Sequence, residues 1–170
     1  TTANALLAIG ASPLMAHSRH EIDELTSICQ SLVLNIGTLD HTLYQRMLFA
    51  CQCAAKHNKI VVIDPVGVGA TKFRLDTVLE LMQTPARYMI KGNASEVRAL
   101  AHLPQQSKGV DAQDEGHSAI QAAQIILAQY PNCLSVIISG ATDFILTREH
   151  TFQIKNGTPL MQYITGMGCT

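Results

Sequence analysis

The segment from Lys59 to Thr71, KIVVIDPVGVGAT, constrains the fold more than any other part of the chain. Four apolar β-branched residues (Ile60, Val61, Val62 and Ile63) stand between Lys59 and Asp64. A short run without polar alternation suits a strand buried on both faces of a parallel sheet. The run breaks at Pro65 into a turn carrying Gly67 and Gly69. In open α/β sheets, functional loops gather beyond the carboxyl ends of the strands. Asp64 therefore stands where a carboxylate can hold a metal, and the two glycines let backbone N–H groups approach an anion. The segment points to phosphate chemistry on an α/β scaffold.

The rest of the chain extends this reading. Strand-like runs recur at 31–36, 88–91 and 135–139, then at 144–147 and 151–155 on either side of a charged turn. Between them lie helical stretches at 2–8, 21–30, 39–57, 76–83, 94–102 and 118–130. Leu43, Met47, Ala50 and Ala54 recur at helical spacing, which fits a helix packed on a sheet. Asn93 followed three residues later by Glu96 has the form of a capping box. Gly10 suits the end of the first helix. Residues 11–16, which contain Pro13, read as a short edge strand, and the polar stretch 105–115 reads as a loop. The alternation predicts an α/β fold whose mostly parallel sheet is covered by helices on both faces.

Composition narrows the function classes. With 47% hydrophobic and 15% charged residues, the chain can bury a core and is not a disordered segment. A net charge of −1 gives no basic field for nucleic acid. No apolar run is long enough to cross a bilayer, so no membrane partner is expected. The 5 cysteines are odd in number and lack paired spacing, which argues for a reducing, cytoplasmic setting. His17 and His20 share i,i+3 spacing but lie in a polar segment without further ligands. The chain opens on Thr1 without an initiator methionine and closes on Thr170 just after a glycine turn. We therefore expect one domain over residues 1–170, lacking N- and C-terminal segments.

Three glycine-rich turns, at 67–71, 92–96 and 165–169, carry neither the Walker nor the Rossmann spacing. Taken with their flanks they resemble something specific. The blocks NALLAIGASPLMA (4–16), LNIGTL (34–39), DPVGVGAT (64–71), KGNASE (91–96), KGVD (108–111) and ITGMGC (164–169) resemble the hydroxyethylthiazole kinase family of the ribokinase-like superfamily. The resemblance runs through the whole chain in consecutive order. It implies a three-layer α/β/α fold and transfer of the ATP γ-phosphate to the primary alcohol of 4-methyl-5-(2-hydroxyethyl)thiazole. It also implies Mg²⁺ and a homotrimer.

Carried over by motif, Asp64 and Glu96 would hold Mg²⁺, partly through water. Lys91 stands where the family often has an arginine on the ATP phosphates, and supplies a point charge in place of a planar fork. Ser139 matches a nucleotide-side serine or threonine. After it the family often reads Gly-Glu-x-Asp, but this chain has Gly140, Ala141, Thr142 and Asp143, so Asp143 is left as a partial substitute for the glutamate. Met15 would line the thiazole pocket and the Gly166 backbone would meet the substrate. Residues 165–169 resemble an anion hole built from the N–H groups of Gly166, Met167, Gly168 and Cys169, with the dipole of a following helix behind it. Cys169 occupies the place of the aspartate base of many superfamily members, as an orienting group or weak base whose thiol a helix N-terminus can acidify. Two alternatives stay open at this point: a catalytically inactive ligand-binding module of the same fold, and a kinase for a related alcohol.

Overall fold

The computed structural model describes residues 2–103, 112–164 and 166–169. At its centre is a six-stranded sheet in sequential order: β1 (Ser31–Asn35), β2 (Ile60–Asp64), β3 (Arg87–Asn93), β4 (Cys133–Ser139), β5 (Asp143–Leu146) and β6 (Thr151–Ile154). The first four strands are parallel, and β4, β5 and β6 form an antiparallel meander. Six helices accompany them: α1 (Thr2–Ala8), α2 (Arg19–Ile28), α3 (His41–Lys56), α4 (Lys72–Met82), α5 (Ala94–Leu100) and α6 (Ala112–Gln129). Two 3₁₀ turns follow, at Pro159–Tyr163 and Met167–Cys169.

The core lies on one face of the sheet. Leu34, Ile63, Ile90 and Val136 are register partners across β1 to β4, and all are buried. They join one cluster with Met47, Ala50 and Ala54 of α3, Val78 and Leu81 of α4, and Ala119, Ala122, Ala123 and Ile126 of α6. The alanine stripe lets α6 approach the sheet closely. Each large apolar side chain buried in this way contributes roughly 1.5–3 kcal/mol.

The opposite face is less covered. Val33 and Phe152 are 55% and 54% exposed there, at the two edges of the sheet. The strand order explains why this face carries none of the crossover helices between β1 and β4. Parallel strands laid down in sequential order, joined by right-handed crossovers, send every crossover helix to the same side. Apolar periodicity carries no information about strand order.

Other boundaries moved. Residues 11–16 form no strand and are largely exposed. Helix α4 starts at Lys72, four residues earlier than predicted, because Thr71 caps it by accepting the Arg74 N–H at 3.3 Å. Helix α6 starts at Ala112 and so takes in residues first read as loop. The block at 108–111, and Thr165, lie outside the described residues. The capping box is present as predicted: Asn93 Oδ1 accepts the Glu96 N–H at 2.9 Å, and Glu96 Oε2 accepts the Asn93 N–H at 2.8 Å.

Candidate active site

The carboxyl ends of β1, β2 and β3 bring Asn35, Asp64 and Lys91 to one corner of the sheet, where the Met167–Cys169 turn meets them. Asn35 and Asp64 are register partners at the ends of their strands. By the strand pleat, both fall on the same face as Val33 and Val62, the less covered one. Asn35 Nδ2 donates to Asp64 Oδ2 at 2.5 Å.

Asp64 is only 6% exposed. Burial pushes its carboxyl above the ordinary value, while a bond from the Cys169 thiol, the Lys91 charge and the Asn35 bond pull the other way. At Cys169, burial also dominates and pushes the thiol up. The hydrogen bond from Asn35 opposes that shift, and the neighbouring Asp64 charge reinforces it. Burial thus makes this thiol less acidic than an ordinary cysteine.

Lys91 Nζ donates to the Gly168 carbonyl at 2.5 Å, so this cation is anchored on the glycine turn itself. Within the turn, the Cys169 N–H donates to Gly166 O at 3.1 Å, which takes one of the expected anion-hole donors into the turn's own bonding. Gly166 has a φ of 84°, a left-handed conformation that glycine adopts without strain.

Glu96 does more than cap α5. Its Oε1 accepts the Gly67 N–H at 2.9 Å. That N–H therefore serves Glu96, where an anion was expected. A Cβ at Gly92 would stand 3.1 Å from Glu96 Oε2 and 3.2 Å from Pro65 Cγ, so glycine there lets β3 close against the Asp64–Pro65 turn.

Sequence reasoning missed two residues. Asn35 read only as a strand end, and Arg74 was not singled out at all. Arg74 Nη1 donates to Ile36 O at 2.8 Å and Val66 O at 2.6 Å, and Nη2 donates to Gly37 O at 3.0 Å. One guanidinium thus pins the loops that follow β1 and β2. No sequence motif marks an arginine whose partners are all backbone carbonyls.

Ser139 ends β4 as the register partner of Asn93. Asp143 Oδ1 accepts the Gly140 N–H at 2.9 Å and closes the β4–β5 turn, so the carboxylate expected to replace a glutamate has a local partner. Met15 is 78% exposed, and no described contact joins it to the strand-end corner. A shallow depression of about 150 Å³ between α2 and α3, lined by Asp23, Phe49, Gln52, Cys53 and Lys56, contains none of the candidate residues.

Among the described residues, no three His, Cys, Asp or Glu side chains are grouped to cage a metal ion. Asp64 and Glu96 nevertheless suit Mg²⁺. That ion keeps several waters and takes one or two carboxylates, rather than a dedicated protein cage.

Comparison with known proteins places the chain in a family. The model of the hydroxyethylthiazole kinase family matches residues 1–170. The chain belongs to the hydroxyethylthiazole kinase family. A hydroxyethylthiazole kinase of Vibrio atlanticus (strain LGP32) is 51% identical over 169 residues, which cover 99% of this chain and 64% of that protein. The solved hydroxyethylthiazole kinase of Pyrococcus horikoshii OT3 superposes with a TM-score of 0.86 at 36% identity, covering 99% of this chain and 61% of that one. Pyridoxal kinase of Bacillus subtilis shares the fold, with a TM-score of 0.51 at 23% identity over 75% of this chain and 48% of its own. This member of the hydroxyethylthiazole kinase family thus has a ribokinase-like α/β fold, and spans less than two thirds of the length of these relatives. No helix among its described residues is long and apolar enough to cross a membrane.

Proposed function

We propose that the protein transfers the γ-phosphate of ATP to the primary alcohol of 4-methyl-5-(2-hydroxyethyl)thiazole, a step of thiamine salvage, as a cytoplasmic homotrimer. The observation that carries this reading is the convergence of Asp64, Lys91, Gly168 and Cys169 at the strand ends of a family member. Phosphoryl transfer asks a protein mainly for positioning and for compensation of charge on the phosphate oxygens. Lys91 provides a cation fixed against the glycine turn. Ser139, at the end of the neighbouring strand, is the proposed nucleotide-side contact.

Asp64 and Glu96 are the residues that would hold Mg²⁺, whose chemistry when bound is to neutralise charge on the phosphate oxygens. The Glu96 carboxylate keeps unused lone pairs beyond its two backbone donors. Gly166 and Gly168 present backbone to the reacting groups, and Met15 supplies an apolar side chain for the thiazole ring. Cys169, beside Asp64 and with burial pushing its thiol up, takes an orienting role toward the alcohol or that of a weak base.

The test is mass-spectrometric detection of thiazole phosphate after the full-length protein is incubated with ATP, Mg²⁺ and hydroxyethylthiazole. Metal-dependent product is the expected result. Binding of the thiazole without product would overturn this reading in favour of an inactive ligand-binding module, and phosphorylation of a different alcohol in favour of a related kinase.

A further inference from the structure

We infer that Asn35 is a positioning residue of the phosphoryl-transfer site, its amide holding the Asp64 carboxylate in one fixed arrangement beside Cys169. The consequence for catalysis rests on the kinase reading above; the arrangement itself rests on geometry.

Asn35 Oδ1 accepts the Gly37 N–H at 2.8 Å. An amide has one acceptor end and one donor end, so this bond decides which way the side chain is turned. The NH₂ end is left to face the site, where it donates to Asp64 Oδ2 at 2.5 Å. The Cys169 side chain lies beside both groups, so side chains from β1, β2 and the Met167–Cys169 turn meet here. Gly37 makes the pinning possible, because a Cβ there would stand 2.9 Å from Asn35 Oδ1. With Oδ2 of Asp64 held by Asn35, the plane of the carboxylate is set. Asn35 acts through Asp64.

The informative substitution is Asn35→Asp. It keeps the shape of the side chain and the acceptor for Gly37, and replaces the donor facing Asp64 by an oxygen. In the full-length protein, kcat for thiazole phosphorylation should fall about 100-fold, the scale of a misplaced reacting group, while KM for ATP stays within about threefold. A kcat within about threefold of wild type would overturn the inference, as would losses in kcat and KM that merely track a lower melting temperature.

A second readout needs no activity. The Asn35 side-chain NH₂ signals in the ¹⁵N spectrum, assigned by their loss in Asn35→Asp, should move in both Asp64→Ala and Cys169→Ser. Signals indifferent to both variants would overturn the arrangement. If the wild-type protein makes no thiazole phosphate, the kinase reading fails, and the amide signals still decide whether Asn35 meets the other two side chains.

Discussion

Glu96 Oε1 accepts the Gly67 N–H at 2.9 Å, so the head of α5 is tied to the turn that follows β2. The other oxygen of the same carboxylate caps its own helix at Asn93. The turn after β2 and the start of α5 therefore share one anchor. A residue proposed to hold Mg²⁺ is also the fastener of these two segments.

Replacement of Glu96 by glutamine separates these roles. A glutamine keeps one carbonyl oxygen, so one of the two backbone N–H groups loses its acceptor and faces an NH₂ group. Stability should fall by about 1 kcal/mol, and by about 1–2 kcal/mol in Glu96→Ala. Urea unfolding measures this loss. Kinase rate followed against Mg²⁺ concentration should reach half its maximum at a higher Mg²⁺ concentration than in wild type and recover at high Mg²⁺. A variant as stable as wild type would contradict the tie.

Arg74 is the second fastener. Its guanidinium spans three carbonyls, at Ile36, Val66 and Gly37, on two different loops. A lysine ammonium keeps the charge but cannot reproduce the planar fork. Arg74→Lys should therefore lose nearly as much stability as Arg74→Ala, on the order of 1.5–3 kcal/mol, the range for hydrogen bonds to a charged group. Equal unfolding midpoints for wild type and Arg74→Lys would show that charge alone suffices.

These two residues mark how far the sequence could be read. Glu96 and Asn93 were legible because a capping box is local: its spacing lies along the chain. The strands at 60–64 and 135–139 were legible for the same reason, as short apolar runs between turn signals. Arg74 was not legible, since its partners lie 8 to 38 residues away and are carbonyls that any residue type carries, and the Asn35 bond to Asp64 was not legible because it spans 29 residues. Which face of the sheet each crossover takes was not legible, because period-2 and period-3.6 patterns reveal which side of an element is apolar but carry no strand order. The surroundings of Cys169 were not legible either, because the burial that pushes its thiol up comes from neighbours distant in sequence.

Away from the site, Asp23 predicts an acid-sensitive joint between α2 and α3. Lys56 Nζ and His57 Nε2 lie 2.7 and 2.8 Å from its carboxylate. Its carboxyl is lowered from 3.8 to about 2, first by the Lys56 bond and then by His57. A lowered folded-state value means that the unfolded chain binds the proton more readily. The stabilisation is therefore complete above about pH 4 and is lost as pH falls from there toward 2. Wild type should exceed Asp23→Asn in unfolding midpoint at pH 6, and the two should converge near pH 2. A difference that is constant across this range would exclude the linkage.

Asp64 predicts a conflict between stability and activity. Its carboxyl is almost wholly buried, and burial outweighs the three neighbours that favour its charge. A charged group in that position costs the fold something, and a neutral side chain of the same shape removes the cost. An asparagine at 64 can still accept from Asn35 through its carbonyl oxygen. Asp64→Asn should therefore unfold at a higher temperature than wild type in the presence of EDTA. The same substitution removes half of the carboxylate pair proposed to hold Mg²⁺. Its rate should drop by roughly two to three orders of magnitude, the scale for losing one transition-state stabilising group. Melting curves in EDTA and initial rates at saturating Mg²⁺ measure the two effects on one preparation. A rate loss below about threefold would remove Asp64 from the metal site, and a lower melting temperature would show that its charge is compensated in the fold.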